Sequence, residues 1–264
     1  MTVILPHASA ATLLPSERHP VAARSVPPAP LSPALSKLLA RLPVQDDAEA
    51  LRKSLFHAGT HFNPDLLTSE AERRARLEGV HAALDRAESL VFLDTESTGG
   101  RNGRLIEVGL VETDVEQNIT GGLHFRCNPH RRSQARARRV HGIQDCELEH
   151  CPEFAARADE LLEAVRGKTV VIHDRTMDLL WLNRELLATR PGAPRFEDCC
   201  TVIDSFVLAR AVPSERRRNG LDALLEWYGL GARGGHHDAY GDAALLSRVF
   251  FELWWDLDEW LYGE

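Results

Sequence analysis

The feature that most narrows the fold is a change of texture at residue 90. Leu90-Val91-Phe92-Leu93 is a short unbroken apolar run that leads straight into Asp94-Thr95-Glu96. A run of that length closed by acids predicts a buried strand whose end carries a site. Arg104 to Thr113 and Gly122 to Cys127 read as two further strands, joined by turns at Gly99-Gly100 and Gly121-Gly122. Helical patterns follow at 153–166, 176–189, 219–229 and 239–260, with apolar runs at Thr169 to His173 and Thr201 to Phe206 between them. Three strands and then alternating helix and strand predict an α/β sheet with helices covering its faces.

The upstream third reads differently. The first 33 residues hold seven of the fourteen prolines, mixed with Ala and Ser. Such a segment buries little apolar surface and is expected to be disordered or polyproline-like. Residues 34–88 read as a helical extension, with Leu66, Leu67, Ala71, Ala75, Leu77, Val80 and Leu84 recurring at three- and four-residue steps. No chemistry is visible there, so residues 89–264 are expected to carry the activity. No stretch approaches the ~20 apolar residues of a membrane span, so no membrane partner is expected. Prolines also interrupt the N-terminus before a signal-peptide core can form. The five cysteines are odd in number and lack a CxxC pair, which fits reduced thiols in a cytoplasmic protein. A formal charge of −8 argues against a basic nucleic-acid coat yet leaves room for a local basic patch.

Asp94 and Glu96 stand at i and i+2 of a strand, so both carboxylates project to one face. Two acids together are costly unless something positive neutralises them, and hard divalent cations prefer oxygen ligands. Alone, the pair is a weak signal and fits a solvent-exposed strand end better than a metal site. Asp178 begins a helix after the run Thr169 to His173, and Asp242 lies in the opening of the last helix. In a parallel arrangement, strand ends and helix starts cluster at one sheet edge, where ligand sites form. Four carboxylates meeting there would call for two magnesium or manganese ions about 3.5–4 Å apart. His237 lies five residues before Asp242 in a loop rich in glycine. A neutral imidazole there is suited to take a proton from water, although His236 beside it competes for the task. Arg131-Arg132-Ser133-Gln134-Ala135-Arg136-Ala137-Arg138-Arg139 carries five arginines in nine residues, either a solvated face or a phosphate contact, and Arg216 to Arg218 form a second candidate.

Taken in order, these segments resemble the DEDDh exonucleases, a superfamily with a ribonuclease H-like fold that includes the proofreading subunits of bacterial DNA polymerase III. The resemblance rests on Phe92-Leu93-Asp94-Thr95-Glu96-Ser97-Thr98-Gly99, Leu105 to Gly109, Asn128-Pro129, Val140-His141-Gly142-Ile143, His173 to Asp178, and His237 to Ala243. It implies a mixed central sheet flanked by helices, behind an N-terminal helical extension. It further implies that Asp94, Glu96, Asp178 and Asp242 hold two divalent metal ions, Mg²⁺ or Mn²⁺, and that His237 is the general base. Thr98 and Gly99 would hold the terminal nucleotide, with His141, Arg131, Arg132, Arg138 and Arg139 as further substrate contacts. The implied reaction is removal of nucleoside 5′-monophosphates from the 3′ end of single-stranded or frayed DNA, for which a DNA polymerase or repair complex would be a partner. Asp174 and Met177 depart from the pattern, which has Asn and Phe there, and Asp174 adds a carboxylate near the metals. The alternatives are an RNA-trimming exoribonuclease resembling ribonuclease T or oligoribonuclease, and a non-catalytic nucleic-acid-binding module of the same fold.

Overall fold

The computed structural model describes residues 69–190 and 192–263. The expected segment 1–33 and the 34–68 part of the helical extension lie outside the described residues. The described chain opens with α1 (Glu70–Leu84), capped by the Ser69 side chain, which accepts from the Glu72 backbone N–H at 3.2 Å. Three strands follow, β1 (Ser89–Ser97), β2 (Leu105–Asp114) and β3 (Ile119–Arg126). After them come α2 (Ala135–His141), the single turn α3 (Asp145–Leu148), a 3₁₀ turn (Phe154–Ala156) and α4 (Ala158–Val165). The remaining order is β4 (Thr169–Ile172), α5 (Thr176–Thr189), α6 (Phe196–Cys199), β5 (Thr201–Asp204), α7 (Ser205–Ala211), α8 (Leu221–Trp227) and α9 (Ala239–Tyr262).

The strands form one mixed sheet of order β3-β2-β1-β4-β5. β1 pairs antiparallel with β2 and parallel with β4, and β4 pairs parallel with β5. This is the expected mixed sheet flanked by helices. Its centre is β1, whose side chains alternate between two cores, as a period of two requires. Leu90 and Phe92 join α1, α7, α8 and α9 on one face, and Phe92 meets Phe250 edge-on at 5.7 Å. Val91 and Leu93 join Leu161, Val165, Leu182 and Leu186 of α4 and α5 on the other. Both faces of β1 are therefore covered, which explains an unbroken apolar run in place of polar alternation.

Two expectations change. Gly121 and Gly122 lie inside β3, and the β2–β3 turn falls at residues 115–118, where the Asp114 side chain accepts from the Asn118 backbone N–H at 2.8 Å. Gly122 is a site of close approach: a Cβ there would stand 2.8 Å from Leu110 O and 3.0 Å from Tyr240 Cε2. Secondly, the last apolar run leaves the sheet at Asp204, whose side chain accepts from the backbone N–H groups of Phe206 and Val207 and so starts α7. The arginine run, for which no element was expected, enters the helix α2 from residue 135 onward. Arginine is a good helix former, but a run without an apolar stripe shows no period. Gly142 closes this helix at φ +72°, the left-handed cap that a glycine provides. Of the positions that suggested the helical extension, Leu77, Val80 and Leu84 are buried against α9, whereas Ala71 and Ala75 are exposed.

Candidate active site

The strand order brings the C-terminal ends of parallel β1, β4 and β5 to one edge of the sheet. Asp94 and Glu96 follow Phe92 on the α9 face of β1. Thr95 points the other way, and its hydroxyl donates to Asp178 Oδ1 at 2.6 Å, fixing the first turn of α5 against the strand. Asp242 is buried one turn into α9. That helix can start there because Gly109 of β2 lacks a side chain: a Cβ would stand 2.1 Å from the Ala239 carbonyl carbon. Glu107, fully buried and directly across from Glu96 in the β1–β2 register, accepts the Ala239 backbone N–H at 3.0 Å. Its other oxygen accepts from Arg126 Nε at 2.8 Å, and His124 Nε2 lies 3.1 Å away. Together these contacts hold its carboxyl below the usual range despite burial.

Glu96, His237 and Asp242 each offer a ligand atom, and the three atoms lie within 4.8 Å of one another. His237 Nδ1 stands 3.5 Å from Asp242 Oδ2 and 4.0 Å from Glu96 Oε1. Asp94 and Asp178 complete the acid cluster. Burial is the first cause that raises the Asp94 carboxyl well above the usual range, followed by the charges of Asp178, Glu96 and Asp242. Burial likewise pushes Glu96 up to about 8, with Asp242 and Glu107 adding to it. Asp178 is pushed up to about 7 by burial, against the hydrogen bond from Thr95. Asp242 is pushed up to about 6 by burial, against the charge of Arg233. Carboxylates that hold protons this tightly are short of positive charge. A divalent ion with oxygen ligands fits such a donor set.

His237 and His236 separate cleanly. The His236 ring packs over Gly142, where a Cβ would come within 2.8 Å of its Cγ and Cδ2. His237 faces the acids, and its backbone N–H donates to the Val140 carbonyl at 3.0 Å, tying the loop to the end of α2. Burial, then the Arg233 charge, lowers the His237 pKa, so the ring is neutral near pH 7.

The expected substrate contacts are arranged around α2. The Thr98 backbone N–H donates to the Arg104 carbonyl at 2.9 Å, its hydroxyl accepts from the Arg104 N–H at 3.0 Å, and its carbonyl accepts from Gln134 N. Gly99 packs beside Ala137 and accepts from Gln134 Nε2 at 3.2 Å. His141 is buried, and its Nδ1 accepts from Ile143 N at 3.0 Å, which leaves the proton on Nε2, an atom with no partner among the described residues. Arg138 Nη1 is spent internally on Ser133 O and Asp145 Oδ2, and Arg131 Nη1 donates to Asn102 O. Arg132, Arg136 and Arg139 are exposed. Asp174, at φ +56°, adds to the charge around Asp178, and its N–H lies 3.2 Å from Asp204 Oδ1.

Sequence reading missed Arg233 and Glu107. Arg233 Nη1 donates to Asp242 Oδ2 at 2.5 Å and to His237 Nδ1 at 2.7 Å. The signals were an arginine standing alone among glycines, and an acid inside the otherwise apolar stretch Leu105 to Val111.

Comparison with known proteins agrees with this geometry. Residues 91–250 match the family model described as Exonuclease. The epsilon subunit of DNA polymerase III from Rickettsia conorii is 36% identical over 168 residues, covering 62% of this chain and 72% of that protein. Its Escherichia coli counterpart is 33% identical over 172 residues, covering 62% of this chain and 70% of that protein. In three dimensions the chain resembles Escherichia coli exonuclease I in complex with single-stranded DNA, at TM-score 0.52 and 20% identity. That match covers 66% of this chain but 41% of exonuclease I. A 3′-exonuclease that recognises a histone mRNA stem-loop matches at TM-score 0.53 and 16% identity, covering 64% of this chain and 83% of that one. Family match, epsilon-subunit homology and an acid-rich sheet edge together make the chain a member of the Exonuclease family, a 3′→5′ exonuclease of the DEDDh type.

Proposed function

We propose that this enzyme removes nucleoside 5′-monophosphates from the 3′ end of single-stranded or frayed DNA. The observation that carries the reading is the meeting of Asp94, Glu96, Asp178 and Asp242 with a neutral His237 at one sheet edge. Two divalent ions, Mg²⁺ or Mn²⁺, held by the four carboxylates would supply the charge that activates water and offsets the departing 3′-oxygen. His237 takes the proton of the attacking water, its neutral ring standing with Nδ1 3.5 Å from Asp242 Oδ2 and 4.0 Å from Glu96 Oε1. Thr98 and Gly99 line the approach of the terminal nucleotide. The unpartnered Nε2–H of His141 is a donor suited to the strand. Exposed Arg132 and Arg139 suit its phosphates, while Arg131 and Arg138 steady the segment that carries them. DNA is favoured over RNA because the epsilon subunits are the more similar relatives in sequence. The same relatives favour a cytoplasmic protein and a DNA polymerase or repair complex as partner. Among the described residues no helix is long and apolar enough to cross a membrane.

The test is digestion of 5′-labelled and 3′-labelled single-stranded DNA and RNA of equal sequence, with Mg²⁺, Mn²⁺ or EDTA. The reading predicts metal-dependent ladders shortening from the 3′ end, faster on DNA. Faster digestion of RNA would move the substrate to the exoribonuclease alternative. Binding without cleavage under either metal would make the chain a non-catalytic module.

A further inference from the structure

Arg233 lies in the loop between α8 and α9, within Gly229-Leu230-Gly231-Ala232-Arg233-Gly234-Gly235. Although the loop backbone around it is exposed, its side chain is only 13% exposed and turns into the acid cluster. Nη1 donates both to Asp242 Oδ2 at 2.5 Å and to His237 Nδ1 at 2.7 Å, while Nε donates to Asp222 Oδ1 at 2.9 Å. A guanidinium has donors only, so His237 Nδ1 must be the acceptor and its lone pair is occupied. One cationic group therefore covers an oxygen of the candidate metal site and the nitrogen that would take a proton.

A hard cation binds a carboxylate oxygen at about 2.0–2.6 Å. With Nη1 already against Asp242 Oδ2, an ion on that oxygen and the guanidinium would be like charges in near contact. The two therefore compete for that oxygen. Open space adjoins the loop on both sides of Arg233, since side chains added at Gly231, Gly234 and Gly235 would meet nothing within 4 Å.

We infer that Arg233 is a built-in counter-cation of the acid cluster, which neutralises it without metal and swings out of it when divalent ions bind. This inference rests on the metal-dependent reading above. It makes Arg233 a competitor of the metal and a block on His237 until metal arrives. Linkage makes the effect reciprocal: if metal expels Arg233, Arg233 weakens metal.

Mn²⁺ binding, read by the electron paramagnetic resonance of the free ion, tests this on the full chain. Arg233→Met is expected to bind Mn²⁺ about tenfold more tightly than the parent protein, equal to about 1.4 kcal/mol. Arg166→Met, which removes the same charge from an exposed turn, should stay within about twofold because exposed charges are screened. Equal affinity for parent and Arg233→Met overturns the inference and leaves the metal reading standing. Failure of the parent to bind Mn²⁺ overturns both. If Arg233→Met does not fold, the parent alone decides through phenylglyoxal labelling of Arg233 read by mass spectrometry. Labelling severalfold faster with Ca²⁺ than with EDTA supports expulsion, and labelling that is unchanged or slower with Ca²⁺ overturns it.

Discussion

The site is built from two unlike halves. Asp94, Glu96 and Asp178 belong to the sheet: two stand on its central strand, and the third is held to Thr95 between them. His237 and Arg233 belong to a glycine-rich loop, held by the Val140 carbonyl, Asp222 and each other. Asp242, the bridge between the halves, is fixed from below by the seating of α9 on Gly109 and Glu107. The first half offers fixed charge without freedom to move. The second offers groups whose position answers to what the first half holds. On the proposed reading, a two-part design of this kind would keep the metal ligands preorganised while the proton acceptor adjusts to substrate.

Breaking each half separately should give different signatures. Asp94→Asn is expected to lower kcat by about 10³-fold or more, because it removes a charge on which transition-state stabilisation depends. It should also abolish the rise in thermal midpoint on adding Mn²⁺, while the metal-free protein keeps or gains stability by losing one crowded charge. His237→Gln should lower kcat by about 10²–10³-fold, the scale of general base catalysis, and keep most of that Mn²⁺-induced rise. Loss of Mn²⁺ stabilisation in both variants, measured side by side, would erase the distinction between the halves.

The bridge comes next. Gly109→Ala inserts a methyl group against the Ala239 backbone, and overpacking of that kind costs about 1–3 kcal/mol. The expected result in denaturant unfolding is a lower midpoint, with kcat falling further than the stability loss explains, since Asp242 moves with α9. Unchanged stability would show that α9 seats differently from the arrangement described.

The smallest effect is in pH. Glu96, Asp178 and Asp242 hold protons up to about 8, 7 and 6 in the folded protein. Unfolded carboxyls release theirs near about pH 4, so the native state binds more protons between those limits and metal-free stability falls as pH rises across them. Melting in EDTA should show a midpoint several degrees lower at about pH 8 than at about pH 5.5. Saturating Mn²⁺ should flatten that slope, because the bound ion selects deprotonated ligands. A metal-free midpoint that climbs over this range would contradict the crowding of the acids.

How much of this was legible in the sequence follows the same division. Asp94 and Glu96 were readable because strand geometry repeats every two residues and the apolar run marked the strand. Asp178 and Asp242 were readable as acids at helix starts near strand ends, given the sheet order. The choice of His237 over His236 rested on resemblance. Its physical reason, the packing of His236 over Gly142, joins residues almost a hundred positions apart, as does the tie from His237 to Val140. The Gly121-Gly122 pair misled because glycine serves close approach as well as turns, and the close neighbours of Gly122, Leu110 O and the Tyr240 ring, come from elsewhere in the fold. Arg233 escaped notice because its partners are fixed by a loop fold that local periodicity does not encode.

The central claim is that this sheet edge is a two-metal centre. Its most direct measurement is an anomalous difference map from crystals soaked in Mn²⁺ with a nucleoside 5′-monophosphate. The account predicts two peaks about 3.5–4 Å apart, bounded by Asp94, Glu96, Asp178 and Asp242, with the nucleotide phosphate between them and His237. No peak at these residues under saturating Mn²⁺, or peaks only beside Asp174 and Asp204, would contradict it.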